Sequence, residues 1–131
     1  MSTIFSKIVN GEIPAYKVAE SEEFLAFLDI NPLVMGHTLV IPKLEVDYIF
    51  DLEDDLLGRL MQFAKKIALS MGACIDCSRI GLTVIGLEVP HTHIHLIPIN
   101  GVSDMDFSQT KLSPPSEEMI EMAARISANL T

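Results

Sequence analysis

His91-Thr92-His93-Ile94-His95-Leu96-Ile97-Pro98-Ile99 is the stretch on which the reading of this chain turns. Read as one extended strand, it points successive side chains to opposite faces. His91, His93 and His95 then share a face, about 6–7 Å apart, while Thr92, Ile94 and Leu96 fill the other. The chain has only four histidines in 131 residues, and three of them lie in these five positions. Three imidazoles on one strand face are costly unless they are hydrogen-bonded or used. A set of satisfied structural histidines is one reading, and the concentration of three weighs against it. Two chemistries want such an array. Neutral imidazoles ligate zinc. Alternatively, one histidine attacks phosphorus, a second donates to phosphate oxygens or the leaving group, and a third orients the set. An imidazole suits attack at neutral pH because its ordinary pKa, about 6.5, leaves much of it unprotonated.

Outward from this stretch, the order of elements predicts an α+β fold. Arg79 to Gly86 reads as a buried strand, joined to the histidines by Leu87-Glu88-Val89-Pro90. Asp54 to Met71 is the clearest helix. Leu56, Leu60, Ala64, Ile67 and Met71 recur at helical spacing, and Leu57 and Phe63 widen the apolar face. Thr38 to Ile41 is a β-rich strand stopped by Pro42, after a loop punctuated by Asn31-Pro32 and Met35-Gly36. Tyr16 to Ala19 and Phe24 to Asp29 form a hairpin across Glu20-Ser21-Glu22-Glu23. Ser2 to Asn10 is a short helix with Ile4, Phe5, Ile8 and Val9 on one face and Gly11 as its stop. Ser113 caps a last helix that starts at Pro114 and turns Met119, Ala123 and Ile126 inward. An antiparallel sheet of about five strands follows, with a main helix packed on it and further helices at either end.

Bulk composition narrows the function. Apolar residues make up 49% and charged residues 21%, a globular balance that excludes a disordered chain. Nine Lys+Arg against eighteen Asp+Glu leave a net charge of −9, which argues against nucleic acid or an anionic membrane as partner. The longest uncharged stretch, Ile30 to Pro42, is too short and broken to span a bilayer, which takes about 20 apolar residues. No signal-like apolar segment opens the sequence, so a cytoplasmic location is expected. Cys74 and Cys77 are too few for a disulfide scaffold. As Cys-x-x-Cys they suit half of a metal site or a redox pair. With no second pair and no βαβ context, two incidental thiols is the simpler reading. The expected organisation is one domain over residues 1–131, with its motifs between about 3 and 100 and a helix-bearing extension from 101.

The residues resemble those of the histidine triad (HIT) family of nucleotide hydrolases and transferases. His91-Thr92-His93-Ile94-His95-Leu96-Ile97 follows the family's alternation of histidine and apolar positions, with Thr92 an imperfect apolar position. Ile4-Phe5-Ser6-Lys7-Ile8 with Gly11-Glu12-Ile13-Pro14 resembles its N-terminal signature. Phe27-Leu28-Asp29-Ile30-Asn31-Pro32 and Gly36-His37-Thr38-Leu39-Val40-Ile41-Pro42-Lys43 resemble its central block. The resemblance implies a HIT-like fold whose sheet continues across a homodimer. It also implies cleavage at the α-phosphate of a small nucleotide, such as a nucleoside phosphoramidate or a dinucleoside polyphosphate, with a purine base. His93 would be the nucleophile, giving a nucleotidyl-histidine. His95 would donate to the α-phosphate, His91 would help orient the set, and His37 would lie near them. Asp29 would accept hydrogen bonds from the ribose hydroxyls, a role that competes with capping the Asn31-Pro32 turn. Ile4, Phe5, Ile8, Ile13, Phe27 and Ile30 would clamp the base, although each also suits plain core.

The sequence departs from the family in two places. Several members hold a structural zinc at positions that here are Thr3, Ser6, Glu45 and His91, so three of four ligands are missing and no metal or other cofactor is expected. The segment before the triad is shortened: Leu87 stands where relatives carry a glutamine, and Glu88 where they carry a hydroxyl residue. Glu88 beside the triad would influence which leaving group is accepted, by repelling a polyphosphate or by partnering His95 or His91. No cation lies within the triad, so attraction to phosphate would come from imidazoles and backbone N–H groups. Two other classes stand against the covalent enzyme: a nucleotide-binding module without turnover, and a metal-dependent hydrolase using the His91, His93 and His95 cluster. Activity that survives chelators and vanishes in His93→Ala distinguishes the first from the others.

Overall fold

Phe24–Leu28 and Thr38–Pro42, strands β2 and β3, are buried at every position. Both strands are covered on both faces, which explains why neither shows a polar alternation. The structure is a computed structural model and describes residues 3–131. Its elements run α1 (Ile4–Val9), β1 (Lys17–Glu20), β2, β3, α2 (Asp54–Cys74), β4 (Arg79–Thr83), β5 (Ile94–Ile99) and α3 (Ser116–Ala128). One-turn 3₁₀ segments lie at Ile49–Asp51 and Val102–Met105. The five strands form one antiparallel sheet in the order β1-β2-β3-β5-β4. This is the expected α+β architecture.

The two faces of the sheet are unlike. Phe24, Ala26 and Leu28 of β2, Val40 of β3, and Ile94 and Leu96 of β5 pack with Leu60, Ala64, Ile67 and Met71 of α2 and Met119, Ala123 and Ile126 of α3. This is the main core. Leu25, Phe27, Leu39 and Ile41 point the other way, onto Phe5 and Ile8 of α1. Helix α1 is too short to cover that face, and polar side chains fill the rest.

Several boundaries differ from expectation. The last strand starts at Ile94, so His91 and His93 lie outside it and only His95 is a strand residue. The reason is that the backbone N–H groups of His91 and Thr92 are taken by Val89 O (2.8 Å) and Val46 O (2.7 Å) instead of by a ladder. Strand β4 ends at Thr83 and is an exposed edge, where a buried strand to Gly86 was expected. Ser113 does not cap the last helix, which starts at Ser116 after an extended Pro115. The tandem Pro114-Pro115 explains this, because a residue before proline is pushed out of the helical region. The predicted start of the first helix at Ser2 lies outside the described residues; among these, Thr3 is its cap and its hydroxyl accepts from Ser6 N. Ile4, expected on the buried face of that helix, is 49% exposed.

Candidate active site

All four histidines collect on the α1 face, and all are buried. His37 and His91 are 1% and 0% exposed, while His93 and His95 keep 6% and 8%. β3 brings in His37 just before Thr38, after a turn that needs Gly36 at φ 97°. β5 brings in His95, and the irregular run before it brings in His91 and His93. The ring centroids of His93 and His95 are 4.9 Å apart, and those of His37 and His95 are 5.2 Å apart.

Hydrogen-bond partners dictate which ring nitrogen of each histidine carries the proton. Leu33 N–H donates to His37 Nδ1 at 3.1 Å. His37 Nε2 therefore holds the proton and donates it to His95 Nδ1, 2.9 Å away. His95 in turn carries its proton on Nε2. His93 Nδ1 donates to the His91 carbonyl at 2.7 Å, so His93 Nε2 keeps its lone pair. His91 Nε2 donates to Pro42 O at 2.8 Å, and its Nδ1 accepts from Thr3 Oγ1 at 3.1 Å. Among the described residues no buried side-chain nitrogen or oxygen lacks a partner. The two ring nitrogens without one, His93 Nε2 and His95 Nε2, therefore open to solvent. One offers a lone pair and the other a proton.

Burial favours the neutral form of His37, His91 and His95. It pushes His37 down to about 4 and His95 down to about 3, with neighbouring positive charge adding to each shift. Burial also lowers His91, partly offset by the Pro42 carbonyl. The 3.8 Å approach of Asp29 Oδ2 to His37 Nε2 is therefore a dipole contact at neutral pH, since an ion pair would require a charged His37.

Asp29, His37 and His95 are also the one group, among the described residues, compact enough to surround a metal ion, with one atom from each lying within 4.8 Å of the others. A metal there needs lone pairs on His37 Nε2 and His95 Nδ1. Leu33 N–H already holds His37 in the tautomer with a proton on Nε2. Nor do His91, His93 and His95 offer three convergent lone pairs, because His91 Nε2 and His93 Nδ1 are committed to backbone carbonyls. The donor set therefore disfavours a metallohydrolase. The positions that match the zinc ligands of relatives do meet in space. Ser6 Oγ donates to Glu45 Oε1 at 2.5 Å, Thr3 N donates to the same oxygen at 3.0 Å, and Thr3 Oγ1 reaches His91. A hydrogen-bonded cluster ties α1 to the triad there.

The other candidate residues fall around this centre. Ile4, Phe5, Ile8, Ile13, Phe27, Ile30 and Asp29 all line one groove, in spite of the 60% exposure of Ile30. The Phe5 ring stands edge-on to His93 at 5.0 Å, which joins that groove to the triad. Asp29 caps the turn after all, since its Oδ1 accepts from Asn31 N at 2.9 Å. Its Oδ2 makes no hydrogen bond with the described residues, and burial raises the carboxyl. Glu88 is exposed and lines a cavity of about 140 Å³ with Leu87, His93, His95 and Phe107. Among the described residues it bonds neither His91 nor His95, so the expected partnership is not formed. Cys74 and Cys77 are free thiols, and burial pushes Cys74 up.

Two residues of the site are not evident from the sequence. Phe107 packs edge-on against His95 at 4.8 Å and against His37 at 6.1 Å. Lys111 brings a positive charge to bear on Asp29 and His37, although the triad segment itself holds no cation. The signal available is a lone aromatic in the polar run Ser103-Asp104-Met105-Asp106-Phe107-Ser108.

A family model described as the HIT domain matches residues 10–101. The chain is similar to an uncharacterized HIT-like protein of Borreliella burgdorferi, 38% identical over 97% of both chains. It is also similar to an adenosine 5′-monophosphoramidase of Saccharomyces cerevisiae, 39% identical over 72% of this chain and 61% of that one. The solved structure of a HIT-like protein from Bartonella henselae superposes with a TM-score of 0.86 at 30% identity, covering 98% of this chain and 96% of that one.

Proposed function

The chain belongs to the HIT family, and from that premise we propose that it hydrolyses a small purine nucleotide at its α-phosphorus through a covalent nucleotidyl-His93 intermediate. The observation that carries this is the hydrogen bond from His93 Nδ1 to the His91 carbonyl, which leaves the Nε2 lone pair free beside the His95 Nε2 proton. His93 Nε2 attacks phosphorus, a P–N bond forms, and the bond to the leaving group breaks. The His91 carbonyl stabilises the positive charge that develops on the ring, and His95 Nε2–H bonds a phosphate oxygen. Water then attacks phosphorus, the P–N bond breaks, and His93 regains its lone pair.

His37 acts through His95 as a positioning residue, holding its tautomer. Asp29 takes the ribose hydroxyls, since each carboxylate oxygen accepts more than one hydrogen bond. The groove of Ile4, Phe5, Ile8, Ile13, Phe27 and Ile30 takes the base. The phosphoramidase name of one relative favours a nucleoside phosphoramidate as substrate, with dinucleoside polyphosphates as the second class. Glu88 lines the leaving-group side. Its negative charge disfavours a polyphosphate, so Glu88→Gln raises polyphosphate cleavage relative to phosphoramidate cleavage; an unchanged ratio removes Glu88 from substrate choice.

The reading extends to a single domain over 1–131, a cytoplasmic location and a homodimer joined through β4. Edge strand β1 carries a bulge and the charges of Lys17 and Glu20, whereas edge strand β4 presents Leu82 at 45% exposure. Among the described residues no helix is long and apolar enough to cross a membrane. The deciding experiment is intact-mass analysis of the protein mixed with an activated AMP donor. One adenylyl adduct is expected, transient in wild type and absent in His93→Ala. Nucleotide binding with neither adduct nor AMP release would identify a binding module instead.

A further inference from the structure

The segment after the 3₁₀ turn at Val102–Met105 is held by four sets of contacts. Asp106 accepts from Ser108 N and Oγ at 2.9 and 2.6 Å, and Gln109 Nε2 donates to Ser103 O at 2.7 Å. Phe107 lays its ring against His95 and His37. Leu112 N donates to Pro32 O at 2.9 Å, which fastens the segment to the loop that carries Asp29. Lys111 stands between these last two anchors. Its Nζ donates to Phe107 O at 2.9 Å. An ammonium has three donors, so two remain free among the described residues.

The site needs such a group. Its substrate, on the reading above, is anionic, the chain carries −9, and the site histidines His37 and His95 are neutral at pH 7. Asp29 and Glu88 add negative charge on either side. We propose that Lys111 binds the phosphate of the nucleotide, carried to the site by the strap that Phe107 packs and Leu112 anchors. Its positive charge acts on both the Asp29 carboxyl, where it offsets part of the rise that burial causes, and the His37 imidazole, where it adds to the fall. The strap thus gives this chain, in cis, the counter-charge that the triad segment lacks.

The inference rests on the nucleotide reading, and titration calorimetry with AMP and with adenosine tests the two separately. Wild type should bind AMP more tightly than adenosine. Lys111→Met should weaken AMP about tenfold and leave adenosine unchanged, as expected for loss of one charge-assisted contact. Lys111→Arg should keep most of the AMP affinity, and added salt should shrink the difference between wild type and Lys111→Met. Lys111 is exposed, so these variants should fold. Adenosine binding with an AMP affinity unaltered in Lys111→Met overturns the role of Lys111 alone. Binding of neither ligand by wild type overturns the nucleotide reading and this inference together.

Discussion

The two faces of the sheet divide the work of the molecule. The face under α2 and α3 buries aliphatic and methionine side chains, and all four histidines lie on the other. The face under α1 has a small apolar cluster of Phe5, Ile8, Leu25, Phe27, Leu39 and Ile41, and beside it four imidazoles, each held by at least one hydrogen bond. The first face is held by area, which tolerates some change in shape. The second is held by directed hydrogen bonds, each with one partner, so it is specific and sensitive to protons. A short helix on that face leaves a groove open, and a long helix would have closed it.

The sharpest break between the faces comes from paired substitutions. His93→Ala should lower kcat by about 10⁴-fold or more, as expected when a covalent nucleophile is lost, while costing only about 1–3 kcal/mol for one buried hydrogen bond. Leu60→Ala should do the reverse. Leu60 is 0% exposed in the main core, so its truncation should cost about 2–5 kcal/mol with KM unchanged. Stopped-flow turnover and urea titration on the same samples check both. A loss of stability in His93→Ala as large as that in Leu60→Ala would erase the distinction.

Acid should weaken only the histidine face. His37 and His95 titrate at about 4 and about 3 when folded, below the ordinary value of about 6.5 that they regain on unfolding. Below pH 6.5 the unfolded chain therefore binds more protons than the native one, and stability falls as pH falls toward 4. Asp29, raised by burial, opposes this trend; Glu45, lowered by its bonds from Ser6 and Thr3, joins it only below its ordinary range. A loss on the order of 2–4 kcal/mol is expected between pH 7 and pH 5. Equal urea midpoints at the two pH values would show that these imidazoles are not buried neutral.

The smallest effect should come at the seam between α1 and the triad. Thr3→Ala removes the helix cap and the donor to His91 Nδ1. It should cost about 1 kcal/mol and raise KM more than it lowers kcat, because the base groove is built on α1. Steady-state kinetics with thermal unfolding checks this; an unchanged KM would separate α1 from the groove.

Much of this architecture is legible in the order of the amino acids. The periodicity of Leu60, Ala64, Ile67 and Met71 marks the buried side of α2, and the runs at Phe24 and Thr38 mark strands. The apolar residues from Ile4 to Ile30 that the family resemblance groups as a base clamp do lie together in one groove. Ile4 and Ile30 are exposed all the same, since pattern reports apolar character and not how much of a face its neighbours cover. The strand boundary at Ile94 is hidden because Val46, which takes the Thr92 amide, is distant in sequence. Phe107 and Lys111 are hidden for the same reason: they reach the site only through a strap tied to His95 and Pro32.

What the sequence determined alone is local: helical and extended periodicity, the stops at glycine and proline, and the gathering of three histidines in five residues. What only the tertiary structure decided is which nitrogen of each imidazole holds the proton. An imidazole offers two nearly equivalent choices until a partner selects one. The partners here, the Leu33 amide, the carbonyls of Pro42 and His91, and the ring of His37, are aimed by the fold, and the His37–His95 and His91–Pro42 contacts each close a separation of more than forty residues.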